Sequence, residues 1–122
     1  GMTGHKISAS ADVHDSMITD GCRIKGTVKH SVLFAGVKVA EGAVVEDAVV
    51  MGGTTIERGA VVRHCIIAEN VTIKENAVVG AMPEGDEHGV ATVGSGITIG
   101  EGAVIGPKAM VRNNVELLYR IW

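Results

Sequence analysis

The sequence predicts an all-β chain, a single-stranded left-handed parallel β-helix of hexapeptide repeats, and three observations carry that expectation. The first is periodicity. Val28, Leu33, Val39, Val45, Val50, Ile56, Val62, Ile67, Ile73 and Val79 follow one another in steps of 5, 6 and 6, so every third one falls 17 residues on. Helices repeat near 3.6 residues and strands at 2, whereas steps of six in threes describe short strands on the three sides of a triangular coil. The second is a pair of columns at the corners. Gly21, Gly36, Gly53, Asn70 and Gly96 recur at one corner, and Gly42, Gly59, Asn76 and Gly102 at the next. Glycine and asparagine tolerate positive φ, so each column reads as a stacked left-handed turn position. The third is composition: 46% of the 122 residues are hydrophobic but only 2% are aromatic, while 17 are glycine. A core without rings has to be filled by Val, Ile and Ala.

Taken along the chain, residues 1–6 read as a leader, with Gly1 an addition ahead of Met2. The repeat opens at Ile7 and continues through Val13, Ile18 and Ile24 into the regular run. After each second corner stand Ala43, Ala60, Ala77 and Ala103, small residues for the narrow part of the triangle. The segment GAMPEGDEHGVAT, residues 80–92, interrupts the repeat and is too polar and too rich in Gly and Pro for a strand, so it is expected to protrude as a loop. Val93, Ile99, Ile105 and Val111 resume the pattern to residue 111, about six coils in all. Residues 112–122, with VELLYRIW, break it and are expected to cap the open end.

A formal charge of −3 with both signs interspersed argues against a nucleic-acid groove or an anionic membrane surface. No apolar run approaches the roughly 20 residues needed to span a bilayer, and no signal peptide opens the sequence. Cys22 and Cys65 make neither a disulfide framework nor a zinc site and read as small core residues. The expected setting is cytoplasmic, with no membrane or nucleic-acid partner.

Within each strand the residue before the inward aliphatic points outward. On the first face these are Val44, Val61, Val78 and Val104; on the second, Met17, Val32, Val49, Ile66 and Met110; on the third, Lys38, Thr55, Thr72 and Thr98. Strand propensity alone would favour Val and Ile at such positions. The third face shows that this chain can use Lys and Thr there, so the two apolar faces are expected to be an interface, with a homo-oligomer or a neighbouring domain covering them.

The corner after the first face stacks Lys29, Glu46 and Arg63 as an alternating charge ladder, beside a His30, Asp47, His64 column. Solvated turns account for such a column; metal binding or acid–base work is the sharper reading. The 80–92 loop leaves from the same corner and places Glu84, Asp86, Glu87 and His88 one coil along from His64. A stand-alone trimeric hexapeptide acyltransferase would use His88 or His64 as its base. A γ-carbonic-anhydrase-like metal protein would use His30 and His64, although no His-x4-His pair is present.

The run from Gly26 to Val79 resembles the C-terminal domain of the glucose-1-phosphate adenylyltransferase (ADP-glucose pyrophosphorylase) family of bacterial glycogen synthesis. The segments HSVLFAGVKV, His30 to Val39, and EDAVVMGGTTI, Glu46 to Ile56, carry the likeness most. The resemblance implies a non-catalytic regulatory and oligomerisation domain. In that family ATP and magnesium belong to an N-terminal nucleotidyltransferase domain whose glycine-rich loop is not found in these residues, so no catalytic residue and no cofactor is expected here. It also implies the parent catalytic domain as a partner. Arg58, in IERGA, matches a position where relatives carry an arginine that helps bind a phosphorylated activator, while their further arginines are absent.

Overall fold

Short apolar strands that must bury one side each, separated by turns forced into the left-handed region, can close only by stacking on the next turn. The computed structural model, which describes residues 4–86 and 89–121, shows that outcome. Among the described residues there is no helix, every strand pairing is parallel, and the chain winds as a left-handed β-helix of hexapeptide repeats. None of its elements is a helix long and apolar enough to cross a membrane.

The first face stacks Asp12–His14, Thr27–Lys29, the start of Val44–Val50, the start of Val61–Ile67, Val78–Val79, Val104–Ile105 and Arg120–Ile121. The second stacks Met17–Ile18, Val32–Leu33, the ends of the same two long strands, Ala91–Val93 and Met110–Val111. The third stacks Lys6–Ile7, Arg23–Ile24, Lys38–Val39, Thr55–Ile56, Thr72–Ile73 and Thr98–Ile99. Register follows the 17-residue step: Val45 lies on Val62, and Val50 on Ile67. The core inside the prism is aliphatic, with Ile24, Leu33, Ile56, Ile67, Ile73, Ile99 and Ile105 fully buried.

Both corner columns have the expected backbone. φ is +74° at Gly36, +73° at Gly53 and +55° at Asn70, and +78° at Gly42, +71° at Gly59 and +60° at Asn76. The alanines after the second corner are buried, and each closes its turn by donating its N–H to the carbonyl three residues back, as from Ala43 to Ala40 at 3.1 Å. Two buried hydroxyls serve the remaining turns. Thr54 Oγ1 donates to Ala68 O (2.8 Å) and accepts from Val71 N–H (3.1 Å). Ser31 Oγ does the same between Lys29 O and Ala48 N–H.

The structure departs from the sequence reading in extent. The winding reaches about seven turns rather than six, because residues 112–121 continue the coil: Val115 bridges to Ile99, and Arg120 and Ile121 lie on Val104 and Ile105. The segment expected as a cap is therefore a further turn, leaving Leu117, Leu118 and Tyr119 exposed on its outside. The loop is shorter than 80–92. Gly80 still belongs to the stack, and Ala91 already pairs with Cys65, so 81–90 is the insertion. The first strand begins at Lys6, inside the expected leader. Glu87, His88 and Trp122 lie outside the described residues.

Candidate functional site

The corner between the first and second faces carries the groups with chemistry. It is one residue shorter than the others, so the chain turns there through a single left-handed residue: φ is +45° at Asp15, +46° at His30, +52° at Asp47 and +47° at His64. Asp and His are among the few non-glycine residues that enter this region readily. The His–Asp–His column is thus first a backbone device, a signal present in the sequence but not read as such.

Its side chains pair unevenly. His64 Nδ1 lies 2.5 Å from Asp47 Oδ2, one turn below. The ring is mostly buried, 18% exposed, and its Nε2 is buried without a hydrogen-bond partner. In the tautomer whose Nδ1–H donates to the Asp47 carboxylate, Nε2 carries the lone pair, as a general base requires. His30 turns the other way, with Nε2 3.9 Å from Asp15 Oδ2. His30 and His64 therefore serve different carboxylates, and no group of three metal-ligating side chains gathers among the described residues. Nearer the start, His14 Nε2 meets Asp12 Oδ1 at 2.5 Å.

Half of the expected charge ladder forms. Arg63 Nε donates to Glu46 Oε1 at 3.0 Å, while Lys29 stands in register with Glu46 without an ion pair among the described residues. Under the same corner Cys65 faces the core, in register with Ala48 and Ala91. Burial first, and the Asp47 carboxylate second, push its thiol up to about 12. It is not a nucleophile.

The expected interface residues all point outward. Val32, Val44, Val49, Val61, Val78 and Val104 are half-buried among their neighbours, and Met17, Ile66 and Met110 are more open at 67%, 42% and 65%. Thr92 interrupts the second face between Ile66 and Met110. Arg58 is exposed and borders two clefts. One, on the third face, is about 370 Å³ and is also lined by Arg23, Lys25, Lys38, Glu57 and Glu75; the other holds Glu41 and, again, Glu75.

Residues 3–100 match the GlmU-like, C-terminal hexapeptide family. The chain belongs to that family. A stretch of 40 residues is 52% identical to glucose-1-phosphate adenylyltransferase of Geobacillus stearothermophilus, covering 33% of this chain and 10% of that protein. Among solved structures, a perosamine N-acetyltransferase from Caulobacter crescentus bound to CoA and GDP-perosamine superposes with a TM-score of 0.64 at 20% identity, over 98% of this chain and 53% of its own. The acetyltransferase domain of PglB from Neisseria gonorrhoeae, in complex with acetyl coenzyme A, does so with 0.64 at 19%, over 94% and 52%. The chain spans about half the length of these two solved chains and a tenth of the adenylyltransferase. At such identities these solved structures speak for the fold alone.

Proposed function

We propose that this hexapeptide chain is a non-catalytic oligomerisation and regulatory β-helix of the glucose-1-phosphate adenylyltransferase kind, working as a homo-oligomer and against a nucleotidyltransferase domain in a cytoplasmic setting. The observation that carries the reading is the 52% identity over 40 residues to a protein of that activity. The outward apolar columns support it: Val44, Val61, Val78 and Val104 stack in strand register on one face, and Val32, Val49 and Ile66 on the next. Parallel sheets are rarely left uncovered on a face that apolar. For the effector role implied for Arg58, its third-face cleft offers further cations in Arg23, Lys25 and Lys38 with Glu57 and Glu75 among them, whereas its other cleft pairs it with Glu41 and Glu75 alone. ATP and magnesium belong with that domain, and adenylyl transfer is not assigned to these residues.

The test is the chain alone. Sedimentation should show concentration-dependent self-association, and incubation with ATP, magnesium and glucose 1-phosphate should give no ADP-glucose. Turnover by the chain, or a monomer at every concentration, overturns the reading.

A second reading, acyl transfer from acetyl-CoA, is favoured by one observation, the Asp47–His64 pair with its buried, unpartnered Nε2. Nε2 is closed off from solvent, so a substrate could reach it only after the groups around it move. Saturable acetyl-CoA binding by calorimetry that is lost in His64→Ala would select this reading; His88, the other candidate base, is tested by the same assay on His88→Ala.

A further inference from the structure

The last turn departs from a rule that four earlier turns keep at the corner joining the third and first faces. Those turns place a charged residue, then a left-handed Gly or Asn, then a buried Ala: Glu41-Gly42-Ala43, Arg58-Gly59-Ala60, Glu75-Asn76-Ala77 and Glu101-Gly102-Ala103. The last turn has Leu117, Leu118 and Tyr119 in the same three places. Backbone hydrogen bonds establish the equivalence. Leu118 N–H donates to Glu101 O as Gly102 N–H does to Glu75 O, and Tyr119 N–H closes on Glu116 O as Ala103 N–H closes on Gly100 O. Leu118 holds φ of +58°, a conformation that costs energy for any residue with a Cβ. The three side chains are exposed at 66%, 69% and 57%. Glu, Gly and Ala serve the same turn without strain and without exposed apolar surface. Strain and apolar exposure kept together at one place point to a contact made there.

The segment is also complementary to itself. Outward from Leu118 in both directions, Leu117 answers Tyr119, Glu116 answers Arg120, and Val115 answers Ile121. A two-fold contact has this requirement, since residue i of one copy meets residue j of the other and j meets i. A dyad perpendicular to the prism axis, through the Leu118 corner, sets two last turns end to end and lays the third face of each on the first face of the other. Val115 and Ile121 belong to the inward columns of those faces. With Tyr119 they border a cleft of about 570 Å³ at this end, which has Arg112 and Glu116 among its polar lining. Glu116 and Arg120 are exposed and form no ion pair among the described residues. In the turns before, the N–H groups of their two columns donate to the next turn, Gly100 to Val115 O and Val104 to Tyr119 O. No described turn follows Glu116 and Arg120, so theirs is the strand edge a partner can meet.

We propose that a second copy of this chain docks on the last turn, tail to tail, with Leu118 on the dyad, Leu117 against the partner's Tyr119 and Glu116 against the partner's Arg120. The contact lies at the end of the prism. It adds to the side contacts of the homo-oligomer reading and does not depend on them.

The test is sedimentation velocity on the full chain. Leu117→Glu with Leu118→Gly gives the last turn the corner that Glu101 and Gly102 already form, so the dilute chain should melt no lower than wild type while association weakens about tenfold or more. Glu116→Arg and Arg120→Glu each set like charges across the dyad and should weaken association on their own. An equimolar mixture of those two variants should restore it, because each mixed pair again opposes acid to base. Effects inside one chain, such as a pairing of Glu116 with Arg112 across the cleft, give no such recovery. Variants that associate like wild type, or a mixture no better associated than its components, overturn the proposal. A Leu117→Glu, Leu118→Gly chain that fails to fold assigns the leucines to the turn itself and also overturns it. If association then responds only to Val49→Lys with Ile66→Lys, the side contact of the homo-oligomer reading stands alone. A wild type that is monomeric at every concentration overturns both.

Discussion

Thr54 and Cys65 show how little room the prism leaves for a wrong atom. Thr54 is fully buried and both donates and accepts, so Thr54→Val keeps the shape and strands the Val71 N–H and the Ala68 carbonyl. An unpaired buried group costs about 1–3 kcal/mol, and urea unfolding of Thr54→Val should lose stability in that range while Thr55→Val, on the outside, changes little. Cys65 is held as the neutral thiol, raised from 9.0 to about 12 by burial and then by Asp47. The folded state therefore binds this proton more tightly than the unfolded one. Its contribution is complete below about 9 and drains away as pH rises from about 9 to 12. Two outcomes follow: native chain near neutral pH should not react with a thiol reagent at Cys65, and Cys65→Ala should flatten the alkaline fall in melting temperature.

At the scale of the turn, glycine has two unrelated duties that the sequence does not distinguish. Gly26 sits where a Cβ would lie 2.5 Å from Ala43 O and 2.6 Å from Ala40 O, so its duty is room. Gly96 has open space but φ of +71°, so its duty is conformation. Gly26→Ala should cost at least the upper end of the about 1–3 kcal/mol typical of over-packing. Gly96→Ala should cost about 1–2 kcal/mol of backbone strain, and Gly96→Asn less, since Asn70 and Asn76 already hold the equivalent conformation. Thermal melts of the three variants order them; equal losses at Gly26 and Gly96 would refute the distinction. The turn also explains why the corner pattern was half-legible: Gly and Asn columns announce positive φ, while an Asp–His column announces chemistry first and backbone second.

For the molecule as a whole, the sides decide its behaviour. Two faces present stacked aliphatics and one presents Lys, Arg and Thr, so association should be sensitive to charge placed on the apolar columns. Val49→Lys with Ile66→Lys, both outward on the second face, should shift the sedimentation equilibrium to monomer by more than tenfold. The isolated prism should lose only about 0.2–1 kcal/mol, the cost of two like charges in direct register, because neither side chain is in the core. Unchanged association would place the contact elsewhere, on the first face or at the last turn.

The repeat by itself determined the winding, the inward and outward sets and the left-handed positions at two corners, because a 17-residue step leaves one way to bury every aliphatic and every turn is local. It also carried the likeness to glucose-1-phosphate adenylyltransferase in the Gly26 to Val79 run. Only the tertiary structure decided that His64 joins Asp47 while His30 joins Asp15, since stacking brings all of them to one corner and side-chain rotation chooses among them. It likewise decided that residues 112–121 wind on as a turn rather than close the end, because backbone pairing with Ile99, Val104 and Ile105 tolerates side chains that match no repeat. And it set Lys6 and Arg23 in line with Lys38, a ladder spread over irregular first turns where the spacing is 17 residues and then 15.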